Sequence, residues 1–301
     1  MGARGRRHWD FRMNRRMFIM TASALACTAQ LVDAHNATRN RQLGVQLYSL
    51  HDLAHTDLLE TLTSIRKIGF QTVEFETTCI ECGVDVAKAL RARLDELGLR
   101  CPSTLCNPNN FYGERLSQSL EIASILGCNL MVMPHPDQLT NDWRSVGGWR
   151  NVVRVLNEAV EPARAHGIRV GYHNHAPEFL PLAQRHVPIE IIASETDPAV
   201  CLELDVANCL ASDGDPVEFL KRHGPRVVAM HFKDWSRNPA RGFSVALGQG
   251  SADWRRILNA AEPYVREDCY FVEMEPQDGP ALDRLARDYS AARKLLAQVG
   301  A

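Results

Sequence analysis

Four β-rich runs in the second half of the chain end in side chains that bind metals or move protons. They are Gly-Tyr-His-Asn-His (171–175), Val200 to Asp205, Met-His-Phe-Lys-Asp (230–234) and Phe-Val-Glu-Met-Glu-Pro (271–276). In the second run apolar Val200, Leu202 and Leu204 alternate with Cys201, Glu203 and Asp205, the period of a strand with one polar face. An unpaired carboxylate is costly to bury, so carboxylates at a strand end need a cationic partner. Consecutive strands ending in His, Asp, Glu and Lys suit one divalent ion at one mouth of a parallel barrel. Asp205, His231 and Glu273 are then its ligands, and the mixed imidazole–carboxylate set accepts Mn²⁺, Mg²⁺, Co²⁺ or Zn²⁺ alike. Glu275 shares the strand face of Glu273 and reads as a base or a further ligand. Lys233 shares the face of His231, placed to polarise a substrate oxygen or to pair with Glu203. Glu203 stands to Asp205 as Glu275 does to Glu273 and reads as a substrate-contacting group; for Glu203 and Glu275 alike, a salt bridge within the barrel core is an equally good reading. In Leu247-Gly-Gln-Gly250, the amides of Gly248 and Gly250 precede a helix start and are free to meet an anion or a sugar hydroxyl, or simply to cap the helix.

The elements that must position these groups alternate along the chain. Strand-like runs fall at 43–48, 72–76, 100–105, 130–134, 169–174, 200–205, 227–232 and 270–274. Amphipathic stretches fall at 57–68, 84–97, 112–126, 146–166, 187–195, 215–223, 252–262 and 279–298. Gly69, Gly98, Gly127 and Gly167 each follow a helix and precede a strand, where a left-handed residue closes the helix. Eight such pairs in about 260 residues is the count of a single (β/α)8 TIM barrel. A doubly wound open sheet would want a Gly-rich turn after the first strand, and Gln46-Leu-Tyr-Ser-Leu50 is not one. The 135–147 stretch is a longer loop after the fourth strand, placed to roof the site.

Net charge is −2, but residues 1–34 hold six Arg against Asp10 and Asp33 (+4), so the remainder carries −6. That is no footprint for a nucleic-acid partner. Asn14-Arg15-Arg16-Met-Phe-Ile19, followed by the apolar run Met17 to Leu25, resembles a twin-arginine (Tat) export signal. Cleavage before His35 would release 35–301 as one barrel domain to the periplasm or beyond. Ala24-Leu-Ala-Cys27 offers a weaker alternative, a lipid anchor on Cys27. The apolar run is too short for a stable membrane span. Cys79 and Cys82 form a lone Cys-x-x-Cys, either a disulfide or two thiols. A homo-oligomer stays open.

In order, Gly-Val-Gln-Leu-Tyr-Ser-Leu (44–50), Tyr-His-Asn-His-Ala-Pro-Glu-Phe (172–179), Leu204-Asp205-x-x-Asn208, His231-Phe-Lys-Asp234 and Leu247-Gly-Gln-Gly250 resemble the xylose isomerase-like TIM barrels, called sugar phosphate isomerases/epimerases, over roughly 41–298. The resemblance implies one divalent metal held at strands five to eight, with Asp205, His231 and Glu273 as matching ligands. Asn208 stands where relatives often carry His and is expected at the substrate. The family's strand-five Glu aligns with Gly171 here. Glu178 is therefore expected to replace it as the fourth ligand, with His175 beside it moving protons and His173 touching substrate. The implied reaction is isomerisation or epimerisation of a sugar or keto-sugar through an enediolate. Loss of a β-substituent, as in lyase cleavage of a 3-keto-glycoside, is the alternative. An endonuclease IV-like phosphodiesterase and a catalytically dead sugar-binding barrel are more distant ones.

Overall fold

The computed structural model describes residues 41–137, 139, 142–183, 185–275 and 279–299. The expected export segment lies outside them. Eight parallel strands close in sequence order: β1 (Leu43–Gln46), β2 (Thr72–Phe75), β3 (Arg100–Leu105), β4 (Leu130–Met133), β5 (Arg169–His173), β6 (Cys201–Asp205), β7 (Val227–Phe232) and β8 (Tyr270–Val272), with β8 paired back on β1. The eight expected helices are present within one or two residues of their expected ends, for example Leu58–Ile68, Val84–Leu97 and Val146–Ala165. Gly98 and Gly127, at φ 64° and 75°, return the chain to the next strand by donating their N–H groups to the last carbonyls of the helices before them. Short helices at His51–Thr56, Thr77–Ile80 and Val206–Ala211 were not expected. At six residues or fewer they show too little of the 3.6-residue period to be read. Among the described residues no helix is long and apolar enough to cross a membrane. Cys79 and Cys82 are free thiols, the Cys82 thiol donating to the Cys79 carbonyl at 2.9 Å.

Alternation along each strand separates two cores. Outward residues such as Val45, Val73, Tyr172, Leu204 and Phe232 pack in the large cluster that includes the helix residues. Inward residues Leu130, Val132, Cys201, Ala229 and Phe271 form a smaller apolar plug. Later inward residues, toward the C-terminal strand ends, are polar and buried: Glu74, His173, Glu203, Asp205, His231 and Lys233. The plug is tight at β1, where a Cβ on Gly44 would lie 2.3 Å from Thr72 Oγ1 and 2.5 Å from Phe271 Cδ1. Gly44→Ala should therefore overpack the barrel and cost about 1–3 kcal/mol. An unchanged urea midpoint would contradict this packing.

Candidate functional site

The ends of β5, β6 and β7 and the residue after β8 bring His173, Asp205, His231 and Glu273 together. Each offers a ligand atom within 4.8 Å of the others. All four are buried. His231 Nδ1 lies 2.5 Å from Glu273 Oε2. Two imidazoles and two carboxylates converging at a buried point are a donor set that fits a divalent ion.

Strand five departs from expectation. Glu178 is buried, but both its oxygens are engaged elsewhere: Oε1 accepts the Tyr172 hydroxyl at 2.8 Å and Oε2 accepts the His175 N–H at 3.1 Å. Tyr172 is an outward residue, its ring edge-on to Trp149 of helix Val146–Ala165 with centroids 6.2 Å apart. Glu178 therefore joins the outer layer as a turn-capping group and does not reach the cluster. Gly171 does not mark a missing ligand either. It pairs with Val132 and Cys201 at the level of the apolar plug. His173, the next inward residue and the partner of Glu203, occupies the strand-five position in the cluster.

Two other residues contact the cluster from behind, where neither lines the neighbouring cavity. Asn208 donates its backbone N–H to Asp205 Oδ1 at 2.8 Å and its side-chain amide to Oδ2 at 2.6 Å. Glu203, 1% exposed, places Oε2 3.2 Å from His173 Nδ1 and 3.3 Å from His231 Nε2. Glu74 on β2 completes this layer and was missed in the sequence. Its Oε2 lies 2.8 Å from His231 Nε2, an interaction that turns Nδ1 toward Glu273. Its one local signal is a Glu inside the short strand Thr-Val-Glu-Phe.

The electrostatics follow from this crowding. Burial, with the nearby charges of His231 and His175, holds His173 well below its ordinary value, in the neutral form that binds metals. Burial also opposes charge on His231. The carboxylates of Glu203 and Glu74, with hydrogen bonds to Glu203 and Glu273, outweigh it and hold this imidazole well above its ordinary value. Burial and the neighbouring Glu203 push Glu74 up to about 7. For Glu273 burial is overcome by the Lys233 ammonium and by His231, so its carboxyl lies well below the usual range.

Lys233 Nζ is 2.8 Å from Glu273 Oε1, 2.5 Å from Glu275 Oε1 and 3.8 Å from Asp205 Oδ2. Lys233, Glu273, Glu275, His173 and His175 line one cavity of about 470 Å³, with Tyr48 and His135 on its other walls. Gly248 and Gly250 do not offer free amides to it. Both donate to Asp234 Oδ2, at 2.9 and 3.1 Å, as does the Trp254 indole at 3.0 Å. A Cβ on Gly250 would lie 2.0 Å from Asp234 Oδ1. That glycine serves a carboxylate of the chain itself.

The sequence profile of the xylose isomerase-like TIM barrel family matches residues 62–295. An inosose dehydratase of Lactiplantibacillus plantarum is 35% identical over 91 residues, 30% of this chain and 29% of that protein. The chain thus aligns with under a third of that relative's length. A sugar phosphate isomerase/epimerase of Parabacteroides distasonis superposes with a TM-score of 0.71 at 24% identity, covering 87% of this chain and 96% of the other. An L-ribulose 3-epimerase gives 0.65 at 17%, covering 85% and 95%. At these identities the two structures share the fold.

Metal content separates the strand-five assignments. In purified protein, His173→Ala should lose bound metal while Glu178→Gln keeps it, and Asn208→Ala should weaken metal affinity about 10–100-fold by freeing Asp205. Loss of metal in Glu178→Gln alone would reverse the assignment.

Proposed function

The chain belongs to the xylose isomerase-like TIM barrel family, and we propose that it is a divalent-metal-dependent isomerase or epimerase of a sugar or keto-sugar. The cluster of His173, Asp205, His231 and Glu273 carries this reading, since two of its members, His173 and Glu273, line the same cavity as Lys233, Glu275 and His175. A divalent ion held by those four residues would act as a Lewis acid, polarising a substrate carbonyl and acidifying the adjacent C–H.

The chain's own groups supply the rest. Glu275, 33% exposed at its side chain, reaches the cavity from the β8 end and can accept the proton on a carboxylate oxygen. His175 lines the same cavity from the β5 end and offers a second proton carrier. Two carriers on separate walls suit epimerisation, where the proton returns to the opposite face, and one suffices for isomerisation. Lys233, kept cationic by Glu273, Asp205 and Glu275 against the pull of burial, can donate a hydrogen bond to a substrate oxygen as negative charge develops there. The apolar plug beneath closes the barrel, so the substrate enters from the mouth.

Dehydration is the second reading. It shares the first proton abstraction and is favoured by the aligned inosose dehydratase. The Arg15-Arg16 pair with its apolar run supports export by the twin-arginine route, which would present a free sugar or glycoside to the site. Replacing both arginines by lysine is then expected to leave the precursor in the cytoplasm.

Metal-loaded protein incubated in D₂O with ketoses, inososes and 3-keto-glycosides should place deuterium at the carbon beside the carbonyl of one of them. Glu275→Gln or His175→Asn should slow this exchange by about 10²–10⁴ while retaining metal. A product lighter by one water would select dehydration. No exchange from fully loaded protein across the panel would remove the proton-transfer reading.

A further inference from the structure

Outside the central cluster, a second set of metal-binding side chains sits at the rim of the same mouth. His51 and His55 are four residues apart on the helix His51–Thr56, so both rings leave the same face, with centroids 4.0 Å apart. Glu76 follows β2 and points at them, its Oε2 3.4 Å from His51 Nδ1. The three residues offer ligand atoms within 4.8 Å of one another. Adjacent strands fix them: Gln46 of β1 is in register with Glu74 of β2, Glu76 directly follows β2, and the helix follows β1 after the single turn Leu47–Leu50.

Two details point to a ligand. His51 Nδ1 is buried and has no hydrogen-bond partner, so its lone pair or proton is left toward Glu76. His55 Nδ1 lies 2.9 Å from the His51 carbonyl. Donation to that oxygen fixes the tautomer and leaves the Nε2 lone pair free, the arrangement found behind metal-bound imidazoles.

We propose that His51, His55 and Glu76 bind a second divalent transition-metal ion, distinct from the central site. Paired imidazoles at i and i+4 with one carboxylate select Zn²⁺ and its neighbours over Mg²⁺ or Ca²⁺, which take oxygen ligands. Three protein ligands leave a coordination position for water or a substrate oxygen. Glu76 also lines the central cavity, so that position lies where an oxygen-rich substrate enters.

The test is the zinc stoichiometry of the full chain, stripped with chelator and titrated with Zn²⁺ alone. Wild-type protein should bind two equivalents, the double variant His51→Gln/His55→Gln one, and Asp205→Asn one. Glu76→Gln, a single change at the strand end, should weaken only the rim equivalent, by at least tenfold. Circular dichroism and the thermal midpoint of each variant, compared with wild type, show that it is folded. Retention of both equivalents in the His51→Gln/His55→Gln protein overturns the proposal, as does a wild-type stoichiometry of one that Asp205→Asn abolishes. A single equivalent lost in the histidine variant and kept in Asp205→Asn supports the rim site and removes the central one, so the two readings fail separately.

Discussion

The His231 imidazole, buried among the carboxylates of Glu74, Glu203 and Glu273, is the constraint on which the mouth of this barrel depends. Moving one carboxylate out of water costs several kcal/mol even after relaxation, and three surround a single ring. The arrangement is tolerable only because positive charge is concentrated there: the Lys233 ammonium, and either the His231 imidazolium or, with that ring neutral as a ligand, the ion the four-residue set fits. Removing one partner would leave an uncompensated buried charge at a cost of about 3–5 kcal/mol, comparable to truncating a large core side chain. The inner layer of the barrel is thus built to hold cations.

A second carboxylate organises the rim. Asp234 gathers the amides of Gly248, Gly250 and Ala252, its neighbour Trp235 and the indole of Trp254. These bonds tie the loop after β7 to the helix that follows it. The pattern Gly-Gln-Gly is therefore shaped by a requirement within the protein. The carboxylate approaches so closely at Gly250 that no side chain fits. A fixed loop at this position keeps Lys233, one residue before Asp234, aimed between Glu273 and Glu275. Both loop rigidity and charge balance thus act on the Lys233 ammonium, which faces the cavity.

The two layers divide the work. Glu74, Glu203 and Asn208 stand behind the cluster, where their contacts orient the His173 and His231 rings and the Asp205 carboxylate. Lys233, Glu275 and His175 stand in the cavity wall, where a proton or hydrogen bond can be exchanged with a bound molecule.

Periodicity by itself determined the eight strands and the eight major helices, and put Asp205, His231 and Glu273 at strand ends, because alternation and amphipathic spacing are local properties recorded in consecutive residues. Which strand-five residue joins them was decided in three dimensions. His173 and Tyr172 are neighbours in sequence but point to opposite faces, and Glu178 follows Tyr172 outward into a hydrogen bond that no spacing rule announces. Glu74 meets His231 across 157 positions of sequence, and Gly248 and Gly250 give their amides to Asp234, 14 and 16 residues earlier. Such pairs become visible only once the barrel closes, since it is closure that sets distant strand ends side by side and buries them together. The sequence supplied the groups able to do chemistry; burial and strand parity decided which of them meet in the buried cluster, which face the cavity and which hold the others in place.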